Sequence, residues 1–141
     1  MPPEPTPHLL YLELEDALAL YADLFDLDEQ GARDRLRNED GLQSALHRPR
    51  TYAHYVTADI ATQAAALAHG IAESQPFLDG NKRIGLICLR AFLAINGYDV
   101  VASQDERADW MVALSHGQTV EEFAGRIQMS LRALRPAPDE G

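Results

Sequence analysis

The segment from Lys82 to Asn96 constrains the fold of this chain more than any other, because it is apolar on almost every side. A helix without a polar face needs neighbours on all sides. Arg90 interrupts the longest apolar run, Ile84 to Ile95, so the segment does not have the length of a bilayer-spanning helix. We therefore expect a central, buried helix, which ends at Gly97, a natural C-terminal cap.

Other segments have the spacing of helices that would surround the central one. The predicted helices are Glu15 to Phe25, Gly41 to His47, Ile60 to Ser74, Ser103 to Leu114 and Thr119 to Leu134. Ser103 and Thr119 are candidate N-caps, and Glu122 completes a capping box with Thr119. Asp28 to Arg37 is predicted as a short polar helix or a loop. Pro49 is expected to end the helix that precedes it.

Three stretches have extended character instead. Leu9 to Leu14 alternates apolar and polar side chains, and Val100 with Val101 suggests a short extended piece. Arg50 to Asp59 is aromatic and β-branched and is predicted to be extended or a small hairpin. Together with the central helix, the predicted helices make an all-α domain of about six helices, with Trp110 and Phe123 at core-facing positions.

The two ends of the chain differ from its middle. Residues 1–8 and 135–141 are rich in Pro and polar side chains and are predicted to be frayed tails. Residues 9–134 are predicted to form one domain, since 141 residues suffice for a single sizeable core.

The charge and the cysteine content narrow the function classes. The net charge is −10, so a nucleic-acid backbone or an anionic membrane would repel the chain, and no basic stripe offsets this. We expect a protein partner or a small ligand, with no direct nucleic-acid or membrane contact. The single cysteine, Cys88, and the lack of an export signal pattern predict a cytoplasmic protein.

The loop before the central helix, SQPFLDGNKR, carries the chemistry. Asp79 is a hard oxygen ligand of the kind that Mg²⁺ prefers. Gly80 and Asn81 tolerate left-handed backbone angles, which let successive N–H groups converge on an anion. Lys82, the only lysine of the chain, and Arg83 open the next helix, where an anion is favoured. These residue types fit a bound phosphate with Mg²⁺.

A purely structural interpretation fits the same residues. Asp-Gly-Asn is ordinary turn chemistry, and Asp79 could cap the following helix. Pro76 would then only stop the preceding helix. The residue types alone leave both interpretations open.

The loop resembles the motif of the Fic/Doc (Fido) family, His-x-Phe-x-Asp/Glu-Gly/Ala-Asn-Gly/Lys-Arg. Phe77, Asp79 and the run Gly80 to Arg83 fall in order, and Lys82 resembles the Doc branch, the death-on-curing toxins. The flanking segments GLQSALHRPR, AAALAHGIAESQPFLDGNKR and AFLAINGYDV also resemble this family, so the resemblance covers roughly residues 9–134.

The resemblance implies a compact helical bundle with a short flap, at Arg50 to Asp59, before the motif helix. It implies ATP and Mg²⁺ as cofactors, and transfer of phosphate to a threonine of elongation factor Tu. The implied partner is a Phd-like antitoxin, because no inhibitory helix of the family is found in the chain. Leu86 stands where AMP-transferring members have a second Arg, which favours phosphate transfer.

The resemblance also assigns a role to each loop residue. Phe77 would anchor the loop and Asp79 would bind Mg²⁺. The remaining four would bind the nucleotide phosphates: Gly80 and Asn81 as an anion nest, Lys82 and Arg83 by their charge.

Gln75 departs from the motif, because it occupies the position of the general-base His. Gln has no useful basicity near neutral pH, and loss of general-base help costs about 10²–10⁴-fold in rate. Positioning and charge neutralisation dominate phosphoryl transfer, so some activity could survive, with Asp79 as a weak base. His54 in the flap and His69 on the preceding helix are the candidate substitutes, although packing or surface roles suit both.

Three hypotheses follow from these residues. The chain is an attenuated toxin-type phosphotransferase, a Fido-fold pseudoenzyme that binds nucleotide or antitoxin, or a plain helical interaction domain. The intact set from Asp79 to Arg83 argues against the third hypothesis.

Overall fold

The computed structural model describes residues 9–56 and 58–134. The predicted tails, 1–8 and 135–141, lie outside the described residues. Seven helices and two short strands make up the described part, which confirms an all-α bundle. The elements are α1 (Leu14–Phe25), α2 (Glu29–Arg35), α3 (Glu39–Val56), α4 (Ile60–Ser74), α5 (Asn81–Ile95), β1 (Tyr98–Val100), α6 (Gln104–Ser115), α7 (Val120–Ser130) and β2 (Leu131–Ala133).

The core lies around α4 and α5. α5 is buried along most of its length, as its apolar sequence predicts, and only its ends and Arg90 are well exposed. α4 packs against α3, α5 and α7, because its alanines and glycine allow close approach. A side chain at Gly70 would come within 3.0 Å of the Ala45 Cβ in α3. α4 and α5 together therefore hold the loop between them in place.

The predicted helix caps are present. Ser103 and Thr119 accept from the backbone N–H groups of Glu106 and Glu122, and both acids complete capping boxes. Trp110 and Phe123 are buried and meet edge to face, with 5.8 Å between their ring centroids. These local signals fix the starts of α6 and α7.

The prediction that Pro49 ends a helix was wrong, as was the extended segment that follows it. α3 continues through Pro49 to Val56, so Arg50 to Val56 is helical. Pro49 removes one backbone donor, but its side chain is buried and the helix packs along α4. Arg50 also pairs with Glu13 at 3.0 Å and lies over the Tyr11 ring. Tertiary packing thus overrides the local signal.

The predicted helix from Thr119 to Leu134 was too long. α7 ends at Ser130, and Leu131–Ala133 pairs antiparallel with Tyr98–Val100. The backbone groups of Leu131 to Ala133 have their hydrogen-bond partners in this sheet instead of in a final helical turn. Val101 lies just beyond β1, and its N–H donates to the Ser130 carbonyl at 2.7 Å.

The remaining expectations concern shorter segments. Leu9 to Glu13 lies before α1 without regular structure, and α1 begins at Leu14. The polar segment from Asp28 forms helix α2, whose first turn the Asp28 carboxylate caps. Within the described ranges, no helix combines the length and the apolar character needed to span a membrane.

Candidate active site

The loop Gln75 to Gly80 connects α4 to α5 and is held by the connection between α2 and α3. The Pro76 carbonyl accepts from the N–H groups of Arg37 and Asn38, at 2.9 and 3.0 Å. The Leu78 N–H donates to the Arg35 carbonyl at 2.9 Å. These bonds hold the loop backbone against a segment that is distant in the sequence.

Phe77 lies at the centre of this loop and is completely buried. Its ring stacks on Tyr21 of α1, with 3.9 Å between centroids and 8° between planes. An aromatic pair of this kind contributes to stability beyond the buried area alone. The contact fixes the loop to α1.

Asn81, the first residue of α5, closes the loop on itself. Its Oδ1 accepts from the Phe77 N–H at 2.9 Å, and its Nδ2 donates to the Phe77 carbonyl at 3.0 Å. Both ends of the side-chain amide therefore bind the loop. The backbone N–H of Asn81 makes no part of these bonds and stays available to a ligand.

Gly80 precedes α5 in the left-handed region, at φ 73°. A Cβ at this position would overlap the ring of Phe25. Both the backbone angle and the close approach of Phe25 therefore favour glycine.

The N-terminus of α5 is left open towards an anion. In the described part of the chain, it has neither a side-chain cap nor an acidic first turn. Side chains cap α2, α4, α6 and α7: Asp28, Asp59, Ser103 and Thr119. The first N–H groups of α5, on Asn81, Lys82 and Arg83, are free to bind an anion from outside the helix.

Asp79 does not cap α5 but faces α1 and α2. Its Oδ1 accepts from the Tyr21 hydroxyl at 2.9 Å and lies 3.8 Å from Arg35 Nη1. Burial and this hydrogen bond raise the pKa of Tyr21, so the hydroxyl stays a donor at neutral pH. The carboxylate is 66% exposed, so it is open to a ligand.

Asp79 is the acid of the loop that could bind Mg²⁺, and its surroundings bear on that fit. Among residues 9–56 and 58–134, no group of three or more His, Cys, Asp or Glu side chains could hold a metal ion. Mg²⁺ commonly binds one or two carboxylates and takes its other ligands from water and substrate phosphates. Asp79 therefore fits Mg²⁺ that arrives with a nucleotide, and not a permanent metal site.

A cleft of about 300 Å³ lies over the N-terminus of α5. It is lined by Ala72, Gln75, Gly80, Asn81, Lys82, Arg83 and Met111. Arg83 is exposed and its guanidinium lies 5.6 Å from the centroid of the Phe25 ring. The cleft thus combines free backbone donors with two cations.

A recess of about 280 Å³ adjoins the cleft and shares Ala72, Gln75 and Lys82 with it. His69, Glu73 and the end of α6 form its other walls. Gln75 therefore faces both spaces, from a left-handed backbone at φ 45° whose N–H bonds the Ile71 carbonyl.

His69 is the histidine that the structure places beside Gln75. Its Nδ1 lies 3.4 Å from Nη1 of Arg48, and Arg48 also donates to Glu73 at 2.7 Å. Arginine can only donate, so this contact favours the tautomer that carries the ring proton on Nε2. In that tautomer His69 can donate to an anion from Nε2 but cannot take a proton there.

His54 lies on α3 and lines neither space. Its ring meets Tyr55 edge to face, at 4.7 Å between centroids. Both histidines were candidates from the sequence, because their distance from the loop depends on how α3 and α4 pack. Tyr21, Phe25 and Arg35 were not predicted as site residues, since no motif marks them.

The sequence comparisons point to one family. A model of the Fic/DOC family matches residues 11–93. The matched range includes the whole loop and ends inside α5, so α6 and α7 lie beyond it. None of the curated proteins matches the chain.

Proposed function

Since the matched range covers more than half of its residues, this chain belongs to the Fic/DOC family, and we propose that it transfers phosphate from Mg-ATP to a protein hydroxyl. The proposed target resembles elongation factor Tu, and the proposed regulator is a Phd-like antitoxin. The type of transfer, the target and the regulator all extend beyond what family membership establishes.

One observation supports this proposal above the others: the loop is held from behind, which leaves its ligand-binding groups free. Phe77 and the Asn81 amide make their contacts inside the protein. The backbone N–H groups that open α5, together with Lys82 and Arg83, line the cleft instead. A turn with a structural role alone would not leave two cations at a helix N-terminus, where they oppose the helix dipole.

Each residue has a task in the proposed reaction. The N–H groups of Asn81, Lys82 and Arg83 hold phosphate oxygens. The side chains of Lys82 and Arg83 offset the charge on the transferred group. Asp79, which precedes Gly80 and is not among the residues that line the cleft, would hold the metal of a bound nucleotide. Mg-ATP, when bound, supplies the phosphoryl group and the charge neutralisation that this transfer requires.

Phosphate transfer is favoured over AMP transfer by Leu86. This residue lies one turn after Arg83 and is 8% exposed, within the core of the bundle. An apolar, buried side chain at this position provides no second guanidinium for the nucleotide. The cations near the cleft therefore belong to the start of α5.

Gln75 reduces the proposed rate without changing the binding site. Its amide can orient a hydroxyl in the cleft but cannot remove the proton. The Arg48 contact favours a proton on His69 Nε2, which makes His69 a poor substitute for the missing base. We propose a rate about 10²–10⁴-fold below that of the same site with a base.

The flap of the proposed site differs from the sequence prediction. A target peptide adds to an exposed strand edge through backbone hydrogen bonds. Arg50 to Val56 is helical, so its backbone groups already bond within α3. The proposed target is therefore held by side chains around the cleft rather than by strand addition to these residues.

A second candidate is a binding module that has lost catalysis. Gln75 favours it, because the site keeps its anion-binding groups while the one residue of the motif that moves a proton is replaced. This candidate predicts nucleotide or antitoxin binding without transfer.

One assay separates the two candidates: transfer of labelled γ-phosphate from Mg-ATP to purified elongation factor Tu. The unchanged chain is compared with Gln75→His and Asp79→Ala. Labelling by the unchanged chain that Asp79→Ala abolishes supports the phosphotransferase. Labelling by Gln75→His alone supports the binding module. If no variant labels the target, α-labelled ATP with a cell lysate tests AMP transfer and other targets.

A further inference from the structure

We propose that the Tyr21 hydroxyl is a positioning group, which fixes the Asp79 carboxylate so that Oδ2 is presented to the metal of a bound nucleotide. The inference rests on the proposed function and adds a residue from α1, outside the loop, to the site. The hydroxyl donates to Oδ1 of Asp79 at 2.9 Å and lies 3.2 Å from the carbonyl oxygen of the same residue.

The position of this hydroxyl is fixed by packing. Tyr21 has no exposed surface, its ring stacks on Phe77, and its other neighbour is Phe25 at 4.7 Å between centroids. A tyrosine held on two sides cannot follow the movement of an exposed carboxylate. The donor is therefore the rigid partner, and Asp79 adjusts to it.

Arg35 is the competitor that makes this orientation matter. Its Nη1 lies 3.8 Å from Asp79 Oδ1, and its side chain is 39% exposed. A carboxylate released by Tyr21 can rotate and form a bidentate pair with this guanidinium. Both oxygens would then be engaged, and a metal would have to displace Arg35.

The carboxylate is thereby prepared for the metal before the nucleotide arrives. A carboxylate ligand that is itself hydrogen-bonded is oriented in advance, and loss of such a partner typically lowers metal affinity about 10-fold or more. The effect should appear in the metal-dependent part of nucleotide binding and not in the contacts with phosphate. This distinction separates positioning from a general role in folding.

Tyr21→Phe and Tyr11→Phe form a matched pair for the test. Each substitution removes one tyrosine hydroxyl and keeps the ring. The Tyr11 hydroxyl donates to Gln63 Oε1 at 2.9 Å, and its ring stacks on Phe92, away from the loop. Thermal unfolding of both variants checks that the bundle is intact.

The measurement is calorimetric binding of ATP with Mn²⁺ and, separately, of ATP with EDTA. Free Mn²⁺ is followed in parallel by its electron paramagnetic resonance signal. We expect Tyr21→Phe to weaken Mn²⁺-ATP binding about 10-fold and to leave ATP binding in EDTA unchanged. Tyr11→Phe should change neither.

Three results would overturn the inference. If Tyr21→Phe binds Mn²⁺-ATP as the unchanged chain does, the hydroxyl does not position Asp79. Equal losses with and without metal would show a structural role only. If the unchanged chain itself shows no metal-dependent binding, the proposed function fails together with the inference. Asp79→Asn identifies this case, because it then leaves the affinity for ATP the same with and without Mn²⁺.

Discussion

Asn81 and Phe77 bind each other through both ends of one side-chain amide. Oδ1 accepts from the Phe77 N–H at 2.9 Å, and Nδ2 donates to the Phe77 carbonyl at 3.0 Å. The resemblance assigns Asn81 to the anion nest, and its side chain also holds the loop. The backbone N–H that opens α5 is left for an anion.

Asn81→Asp tests this bond pair. The acid keeps the acceptor for the Phe77 N–H but places an oxygen against the Phe77 carbonyl. Because two acceptors then face each other, we expect the free energy of unfolding in urea to fall by about 1–3 kcal/mol. Asn38→Asp is the control, because the Asn38 Oδ1 caps Gly41 and only the acceptor is used. It should change stability by less than about 1 kcal/mol, and equal losses in both variants would contradict the prediction.

Gly80→Ala tests the contact with Phe25. The alanine at position 80 has to adopt φ 73° and to displace the Phe25 ring. Gly97→Ala has to adopt a left-handed φ of 89° but has open space around its Cβ. The backbone penalty is about 1–2 kcal/mol for each, and crowding should add about 1–3 kcal/mol at position 80. Urea unfolding of both variants measures the difference. Phe25→Leu in the Gly80→Ala background should recover part of the loss, and no recovery would rule out crowding.

Gln75→His is expected to introduce a pH dependence into phosphate transfer. A histidine acts as a base only when neutral, so the rate should rise through about pH 6.5 and level off above it. The unchanged chain has no titrating base at this position and should show no such step. Initial rates of phosphate transfer between pH 5.5 and 8.5 measure this pH dependence, with His69→Gln as the control. The label on the target must disappear in EDTA. A step in the unchanged chain that His69→Gln removes would instead make His69 the base.

Cys88 is expected to be inert in the folded protein. Burial, with a smaller effect of Asp16, raises the pKa of this thiol from 9.0 to about 12. Only the thiolate reacts, so a thiol reagent at pH 8 should label the unfolded chain and leave the native one unlabelled.

The same pKa shift predicts a loss of stability at high pH. Because the pKa of Cys88 is raised in the folded state, its contribution to the free energy of unfolding is full below pH 9.0 and is lost as the pH rises towards about 12. Cys88→Ala lacks this thiol, so its stability should fall less steeply above pH 9.0 than that of the unchanged chain. Parallel slopes for the two proteins in urea unfolding would contradict the assigned pKa.

The helical fold could be predicted from the sequence where the signals are local. The buried α5 and the caps of α6 and α7 follow from side-chain periodicity and capping chemistry, and the predicted start of α1, Glu15, lies one residue from the observed start. The course of α3 through Pro49 could not, because its packing against α4 outweighs a proline signal that extends over a few residues only. The prediction that this last helix extends to Leu134 was wrong for a related reason, since the backbone of Leu131 to Ala133 pairs with β1 instead.

The sequence by itself determined the ingredients of the candidate site: a glycine at a left-handed turn, two cations at a helix start, an acid of the kind that suits a metal and a glutamine in place of the motif histidine. Only the tertiary structure decided how these groups are used. Tyr21 holds Asp79, Phe25 fits against Gly80, and Arg48 contacts His69. The physical reason is distance along the chain. Contacts between α1 and the loop, and between α3 and α4, leave no periodic trace in the sequence and exist only once the bundle has packed.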